Sequence, residues 1–340
     1  MLSAVIVSGG VAIRELPTPV LSQGEILVAT EFCGLCGTDL EKLAGEYTAS
    51  APIIGHEVVG TVVEVNSPNK DIKVGDRIFP HHHVPCYSCW KCKHGSTTMC
   101  DHYRKTNIFP GGFSELFRVP SWNIEHGGVL KLPQNLNFER ASFIEPLGCV
   151  VRSIRKCSLA GDEKVTIIGA GPMGLLHGLM LDSSTKCSIR FLDTSEYRRS
   201  FCEELGFNAE NPLTNRVQTG EGSDLVIVAA GNPSAISRGF EEVRQGGKVC
   251  LFGVPHMSAQ LSNKAADLLN NEISVITSYA ADDQDTGQAL ELISSRKVNV
   301  EKLVTHIYTL QQLNDAIAAA KSTNSMKILV TPCAQPSKPN

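Results

Sequence analysis

The sequence predicts an α/β fold of two domains, in which a doubly wound parallel sheet is inserted into a barrel-like β domain. The chain has 340 residues, more than one ordinary hydrophobic core accommodates. Residues 1–125 are dense in short β-like runs separated by glycine and proline, a pattern that suits a β barrel. From Lys164 onward, strand-like and helix-like runs alternate, which is typical of βαβ units around a parallel sheet.

The domain boundaries follow from these changes of pattern. We assign residues 1–149 and 284–340 to the β domain and residues 150–283 to the inserted domain. The predicted strands of the inserted domain are 165–168, 189–192, 225–229, 249–252 and 273–277, with helices between them such as 196–205 and 234–244. Two further helices and two extended runs, at 285–295, 303–308, 311–321 and 327–330, complete the β domain.

Composition and charge exclude several classes of protein. Apolar residues make up 42% of the chain and charged residues 19%, and the net charge is −4, so neither nucleic acid nor a membrane is an expected partner. The most apolar segment, 165–181, is broken by glycines and Pro172 and is not a membrane span. Twelve cysteines without a secretory signal indicate a reducing compartment, and we expect a cytoplasmic protein.

Four closely spaced cysteines form the strongest local motif. Cys86, Cys89, Cys92 and Cys100 can surround one tetrahedral ion and leave no open coordination position, so we predict a structural zinc in a lobe at 84–102. An iron–sulfur cluster uses similar spacings, and four unrelated core cysteines are the plainest alternative.

A glycine-rich loop follows the first strand of the inserted domain. Gly169, Gly171 and Gly174 have Gly-x-Gly-x-x-Gly spacing between a strand and a helix, and Asp193 closes the next strand. Such glycines admit a pyrophosphate at a helix N-terminus, and the carboxylate accepts hydrogen bonds from a ribose. Because a carboxylate repels a 2′-phosphate, we expect NAD; Arg198 and Arg199 leave NADP open. A glycine turn without a ligand is the alternative.

A second metal site is predicted from residues far apart in the sequence. Cys36, His56, Glu57 and Glu145 are ligand types that a catalytic zinc uses. Singly, His56 could be a core histidine and Glu145 a helix-start carboxylate. Three consecutive histidines, 81–83, are interpreted as rim or pocket residues, since consecutive side chains on a strand face opposite sides.

The chain resembles the zinc-dependent medium-chain alcohol dehydrogenases over nearly its whole length. The matching motifs are Gly34-Leu35-Cys36-Gly37-Thr38-Asp39, Gly55-His56-Glu57-Val58-Val59-Gly60, Val74-Gly75-Asp76-Arg77-Ile78, the four-cysteine lobe, Gly111-Gly112-Phe113-Ser114-Glu115 and the Gly169 loop. The Glu145-Pro146-Leu147 segment is similar to the polyol (sorbitol-type) and cyclitol dehydrogenases.

The resemblance implies a GroES-like catalytic domain with an inserted Rossmann domain, two zinc ions per chain and NAD. It implies that Cys36 and His56 bind the catalytic zinc, with Glu57 or Glu145 completing the shell. Thr38 passes the substrate proton, Asp39 supports His56, and Cys33 is a packed thiol. Glu41 stands where many members have a relay histidine, so we assign the outer relay to Glu41, a ribose hydroxyl and water, or another group. The implied cofactor-binding residues are Gly169, Gly171, Pro172, Met173, Gly174, Asp193, Arg198, Gly231 and Gly253.

The expected function is the interconversion of a secondary alcohol on a polyol, sugar or cyclitol with its ketone, using NAD. The alternatives are an NADP-preferring alcohol dehydrogenase or carbonyl reductase, and a catalytically silent protein that binds NAD or zinc as a sensor. The expected partners are a small-molecule substrate and further copies of the chain, in a homodimer or homotetramer.

Overall fold

The polypeptide builds one folded unit from both of its ends. The computed structural model describes residues 1–7, 10–45, 54–68, 70–214, 222–255, 260 and 265–332. The unit built from both ends, here called the terminal unit, comprises residues 1–148, 281–296 and 300–340. The inserted unit comprises residues 149–280 and 297–299. The structure shows the two-domain α/β class that the sequence predicts.

The elements are numbered in chain order. The strands are β1 (Leu2–Val7), β2 (Gly10–Glu15), β3 (Glu25–Gly34), β4 (Glu57–Asn66), β5 (Arg77–Pro80), β6 (Leu116–Val119), β7 (Val129–Lys131), β8 (Lys164–Ile168), β9 (Ser188–Leu192), β10 (Asn208–Glu210), β11 (Ser223–Val228), β12 (Val243–Leu251), β13 (Ser274–Thr277), β14 (Val304–Thr309) and β15 (Lys327–Thr331). The α-helices are α1 (Gly37–Ala44), α2 (Trp90–Lys93), α3 (Ser121–Glu125), α4 (Phe138–Ala141), α5 (Ile144–Cys157), α6 (Pro172–Ser184), α7 (Glu196–Glu204), α8 (Pro233–Glu242), α9 (Ala265–Asn270), α10 (Asp283–Ser294) and α11 (Leu313–Lys321).

The terminal unit is organised around β3. Its sheet runs β14-β15-β3-β4-β5-β7, with β6 also paired to β3, and only the β14–β15 pair is parallel. Because β3 has neighbours on its edges and packed side chains on both faces, eight of its ten residues are buried. The β1–β2 hairpin forms a separate two-stranded sheet. The core between these elements includes Ile26, Val28, Val58, Phe117 and Ile328.

The inserted unit has a six-stranded parallel sheet in the order β10-β9-β8-β11-β12-β13. The first strand of the unit therefore lies in the middle, and the chain winds outward in both directions, as in dinucleotide-binding folds. In the part of the chain that the structure describes, no helix is both long and apolar enough to cross a membrane.

One boundary in the inserted unit differs from the sequence prediction. We expect a helix over 234–244 that ends at two glycines, whereas α8 ends at Glu242. Val243 is already extended, and it pairs with Ser223 before a register shift in the ladder. A β-branched residue fits this extended position well, so tertiary pairing shortens the helix.

The scattered cysteines are predicted to be small core residues, and three of them, Cys157, Cys202 and Cys250, are buried. Cys149 and Cys187 are partly exposed. Cys333, which the same prediction includes, lies outside the described residues.

A buried histidine ties α6 to α5 within the inserted unit. His177 is fully buried; its Nδ1 lies 2.7 Å from the carbonyl oxygen of Met173 and its Nε2 lies 2.7 Å from Oγ of Ser153. Since a carbonyl can only accept, Nδ1 carries the proton and Nε2 accepts from the serine hydroxyl. Burial lowers the pKa of His177 to about 4.

The lowered pKa of His177 predicts that the folded protein loses stability in acid. The unfolded state, with an ordinary histidine pKa, binds the proton more readily, so stability falls as pH drops from about 6.5 towards 4. Between pH 7 and pH 5 we expect His177 to account for about 2 kcal/mol of that loss. The free energy of unfolding, measured in urea at pH 7 and pH 5, should differ less between the two pH values in His177→Leu than in the wild type. In His94→Leu, where the histidine is exposed, the difference should equal that of the wild type. An unchanged pH dependence in His177→Leu would contradict this.

Candidate active site

Three potential metal ligands converge where β3 and β4 meet. Gly34, the last residue of β3, pairs with Glu57, the first residue of β4. Cys36 follows β3 directly and precedes α1, and His56 immediately precedes β4. The ladder therefore brings together a thiol, an imidazole and a carboxylate whose ligand atoms lie within 4.8 Å of one another.

The side chain of Asp39 connects the segments that carry Cys36 and His56. Its side chain is fully buried; Oδ1 accepts a 3.0 Å hydrogen bond from the Gly55 amide and Oδ2 accepts a 3.2 Å bond from the Cys36 amide. Oδ1 also lies 3.5 Å from Nδ1 of His56. This contact favours the proton on Nδ1 and leaves Nε2 for a metal.

Charges within the cluster shift its pKa values. Burial works against the charged imidazole, but Asp39 and then Cys36 raise the pKa of His56 well above its ordinary value. For the same reason His56 keeps the pKa of Asp39 below its usual range despite burial. The surroundings of His56 thus favour positive charge at this position, which is what a metal ion supplies.

A buried lysine completes the cluster. Nζ of Lys327, on β15, forms an ion pair with Oε2 of Glu57 and lies 3.4 Å from the carbonyl oxygen of Leu35. Against the cost of burial, Glu57 and then Cys36 raise the pKa of Lys327. Gly34 makes room for the pair, because a Cβ there would lie 2.0 Å from Oε2 of Glu57. The structure therefore supplies the Glu57 charge with an internal partner.

Lys327 is not among the site residues predicted from the sequence. The available signal was a lysine at the start of a run that is otherwise apolar, Ile328-Leu329-Val330. A cation in a buried strand is rare unless it is paired. Its partner lies 270 residues away in the sequence, so spacing alone could not identify it.

The other predicted catalytic residues lie near this cluster but outside the three-ligand group. Glu145, in the first turn of α5, is buried and contributes to the raised pKa of Lys327. Thr38 and Glu41 lie on α1 and are partly exposed. The roles assigned to Glu145, Thr38 and Glu41 stay predictions.

The donor set suits zinc. One sulfur, one nitrogen and one oxygen ligand with a further position open to substrate is the usual composition of a catalytic zinc site. Cys33 is not part of the group: its thiol is buried in the core, within 3.0 Å of where a Cβ on Gly55 or Gly112 would lie. Burial also raises the pKa of Cys33 well above its ordinary value, which disfavours a thiolate ligand.

The four-cysteine lobe has the geometry of a second metal site. All four sulfurs lie within 4.8 Å of one another, with 3.5 Å between Cys89 and Cys92 and between Cys86 and Cys100. Tetrahedral zinc thiolates place their sulfurs about 3.8 Å apart, so the fit is close. Backbone amides point at Cys86 and Cys100, and hydrogen bonds from Ser88 lower the pKa of Cys86 to about 5.

The lobe docks on the segment that precedes α10. Thr97 donates a 2.7 Å hydrogen bond to Oδ2 of Asp282, and the Tyr103 hydroxyl donates a 2.5 Å bond to the carbonyl of Ala281. These groups are buried. The metal lobe is therefore fixed to residues from the distant C-terminal part of the terminal unit.

The histidine tract does not lie on a strand. β5 ends at Pro80, so alternation of His81, His82 and His83 across a strand was wrongly expected. The His81 and His82 rings stack, the His83 ring is tilted against that of His82, and His81 and His82 are buried. The interpretation of the three residues as rim or pocket residues stays a prediction.

The glycine-rich loop of the inserted unit has the features that a pyrophosphate site requires. Gly169 has a φ of +98°, which favours glycine, and a Cβ on Gly174 would lie 1.9 Å from the carbonyl oxygen of Gly169. α6 then starts at Pro172, with Met173 next, so its free amides face the loop. Oδ2 of Asp193 accepts a 2.7 Å bond from the Ala170 amide, which fixes the carboxylate at the loop.

Two further predicted cofactor glycines lie after the neighbouring strands. A Cβ on Gly231 would lie 1.8 Å from the carbonyl of Val254, and one on Gly253 would lie 2.6 Å from the backbone of Ala230. These glycines let the loops after β11 and β12 pack backbone to backbone. Their contact with a cofactor stays a prediction, as do those of Gly171, Pro172, Met173 and Arg198.

Comparisons with known proteins identify the family. Residues 22–134 match the alcohol dehydrogenase GroES-like domain family, and residues 141–331, more than half of the chain, match the glucose dehydrogenase C-terminus family. The chain belongs to the zinc-dependent medium-chain alcohol dehydrogenases. The resemblance derived from the sequence motifs is thereby confirmed, as are the fold class and the assignment as an enzyme.

Similar proteins cover nearly the whole chain. Sorbitol dehydrogenase of Halalkalibacterium halodurans is 28% identical over 96% of both chains, and D-arabinitol dehydrogenase 1 of Uromyces fabae is 27% identical over 94% of both. A crystal structure from Sinorhizobium meliloti, described as a zinc-binding dehydrogenase and bound to NADP, is 25% identical with a TM-score of 0.88. It covers 97% of this chain and 98% of its own.

The two cysteines at the end of β3 should behave differently. If the three-residue group binds zinc, Cys36→Ser should lose one zinc ion per chain, because its sulfur is the soft donor of that group. Cys33→Ala should retain the zinc content of the wild type, since its thiol lies in the core. Elemental analysis of the purified variants measures both, and loss of zinc from Cys33→Ala would contradict this assignment.

Removing the Lys327 charge should lower the free energy of unfolding, because the buried Glu57 carboxylate loses its counter-ion. In the metal-free chain, Lys327→Met leaves a buried carboxylate unpaired, and we expect the free energy of unfolding to fall by about 3–5 kcal/mol. Zinc should restore more stability to this variant than to the wild type, because it neutralises Glu57. Denaturant unfolding with and without zinc measures both effects. Lys302→Met, at an exposed lysine, is the control, and an equal loss there would refute the explanation.

Proposed function

We propose that this protein is a zinc-dependent, NAD(H)-linked oxidoreductase that interconverts a secondary alcohol of a polyol, sugar or cyclitol with its ketone. The observation that carries the proposal is the group of Cys36, His56 and Glu57, held by the buried carboxylate of Asp39. A thiol, an imidazole and a carboxylate in one group form a site that can activate an alcohol oxygen.

The substrate class is supported by the relatives. The names of two similar proteins refer to sorbitol and D-arabinitol, and a third is a probable D-xylulose reductase of Aspergillus clavatus, 26% identical over 94% of this chain. The first two of these names denote polyols and the third a keto sugar. We therefore place the hydride donor among secondary alcohols that carry further hydroxyl groups.

Three residues of the chain have separate proposed roles in proton transfer and in orienting the metal ligand. When bound, zinc supplies a Lewis acid for the substrate oxygen, and NAD accepts the hydride from the carbinol carbon. Thr38, two residues after Cys36, takes the hydroxyl proton and passes its own onward. Glu41, one turn further along α1, belongs to the outer relay. Asp39 keeps His56 in one orientation throughout.

We assign two zinc ions to each chain. Cys36, His56 and Glu57 hold the catalytic ion, and Glu145 joins or replaces Glu57 at some stage of the reaction. The four-cysteine lobe holds the structural ion, because its four sulfurs leave no position for substrate.

NAD is the proposed cofactor and NADP the second candidate. The Asp193 carboxylate follows β9 beside the glycine-rich loop, where it repels a 2′-phosphate. Nη1 of Arg198 lies 4.0 Å from Oδ2 of Asp193 and therefore offsets part of this charge. The NADP-bound relative from Sinorhizobium meliloti also supports keeping the second candidate.

We further propose a cytoplasmic homodimer or homotetramer. β13 pairs with β12 on one side and, among the described strands, with none on the other. It carries Val275, 37% exposed, and the preceding helix α9 carries Leu269, 78% exposed. An open edge with apolar side chains favours pairing with a second copy.

A substrate panel tests the activity. Polyols, sugars, cyclitols and simple alcohols, each with NAD and the zinc-loaded protein, should reveal reduction of the nicotinamide with a polyol or cyclitol. Thr38→Val should lower kcat by about 10²–10⁴-fold, the usual contribution of a general acid–base group, while Thr38→Ser keeps most of it. If no alcohol reduces either nicotinamide, the chain is a silent binding protein and the proposal fails.

The cofactor assignment has its own test. The ratio of kcat/KM for NAD to that for NADP should exceed one in the wild type and fall at least about tenfold in Asp193→Ala, because the repulsion of the 2′-phosphate is lost. Arg198→Ala should move the ratio the other way. A wild type that prefers NADP would favour the second candidate and overturn the role given to Asp193.

A further inference from the structure

The histidine tract is held rigidly beside the candidate metal centre. The His81 amide donates to the carbonyl of Gly128 at 2.6 Å, and the Asn123 side-chain amide donates to the carbonyls of His81 and His82 at 2.7 and 3.2 Å. The backbone of the tract is therefore fixed independently of its side chains. Such rigidity is what a residue that orients a ligand requires.

The three rings of the tract differ in their bonding. The His83 ring is anchored, with Nδ1 2.6 Å from the carbonyl oxygen of Thr106, and Nδ1 of His81 accepts from the His83 amide at 3.3 Å. His82 has no such anchor. Its side chain belongs to a residue only 8% exposed, yet among the described residues its buried Nδ1 has no hydrogen-bond partner.

A buried polar atom without a partner requires an explanation. Leaving such an atom unsatisfied is unfavourable, and native structures contain few of them. A residue kept for packing alone would be apolar at this position, since a phenyl ring fills a similar space without the desolvation cost. The missing partner of His82 is therefore expected to come from a ligand.

The location of His82 identifies which ligand. Its ring centroid lies 5.1 Å from that of His56, a member of the three-ligand group, and 4.3 Å from that of His83. A molecule whose reacting oxygen approaches the Cys36–His56 site thus carries its neighbouring substituents towards His82.

The hydrogen-bonding capacity of the His82 ring restricts the substituent further. An imidazole has two ring nitrogens that donate or accept hydrogen bonds, and no partner within the described chain fixes the role of Nδ1. A hydroxyl group both donates and accepts, so it matches the ring in either role.

We propose that His82 is a specificity-determining residue that hydrogen-bonds the hydroxyl group adjacent to the reacting carbinol, and so selects vicinal diols over simple secondary alcohols. This inference rests on the proposed function and narrows its substrate class. It also separates His82 from Asp39 and Lys327, which act on the metal ligands and not on the substrate.

The test compares two substrates that differ by one hydroxyl group, a cyclohexane diol with vicinal hydroxyls and cyclohexanol. The ratio of their kcat/KM values, diol over cyclohexanol, is measured for the zinc-loaded wild type, His82→Phe and His82→Gln. We expect the ratio to fall about 10- to 100-fold in His82→Phe, the usual effect of one lost buried hydrogen bond, and to recover in part in His82→Gln. Calorimetric titration of the diol into zinc-loaded protein with NADH in place of NAD should show the same order of affinities, because the reduced cofactor cannot accept a hydride from the diol.

Each other result overturns the inference, and in a recognisable way. Loss of a zinc ion from His82→Phe would make His82 a metal ligand. An unchanged ratio together with unchanged diol affinity would make it a packing residue. If the wild type neither turns over nor binds either alcohol, the proposed function itself fails and this inference fails with it. A wild type that is active on both alcohols with an insensitive ratio rejects only the role of His82.

Discussion

The fully buried Asp39 carboxylate is the contact on which the candidate metal centre depends. A carboxylate without water is tolerated only when its oxygens are satisfied, and here two backbone amides and one imidazole surround it. Those three groups belong to two segments, one after β3 and one before β4. A single charge therefore fixes the positions of Cys36 and His56 relative to each other.

A second buried charge extends this arrangement across the sheet. Glu57 starts β4, and its counter-ion, Lys327, starts β15, on the other side of β3. Gly34 on β3 leaves the gap through which they meet. The ion pair therefore joins the two strands that flank β3, and one of its members belongs to the candidate metal centre.

Features that depend on local sequence pattern were predicted correctly. Features that depend on contacts between residues far apart in the sequence were not. The parallel sheet follows from alternating strands and helices, and the ligand residues follow from short motifs with ligand-type side chains. Lys327 was missed because its partner is 270 residues away. Strand alternation was wrongly expected for the histidine tract because β5 ends at Pro80, before the histidines begin. Helix α8 was predicted too long because Val243 pairs with Ser223 instead of continuing the helix.

The docking of the four-cysteine lobe has a consequence for how the chain folds. Thr97 and its acceptor Asp282 are separated by 185 residues, and Tyr103 from the Ala281 carbonyl by 178. Closing so long a loop carries an entropy cost, which grows only slowly with length but must be met before the contact forms. During synthesis the lobe therefore emerges well before the surface on which it rests. The four cysteines are thus made before the inserted unit, and the terminal unit is completed last although it is started first.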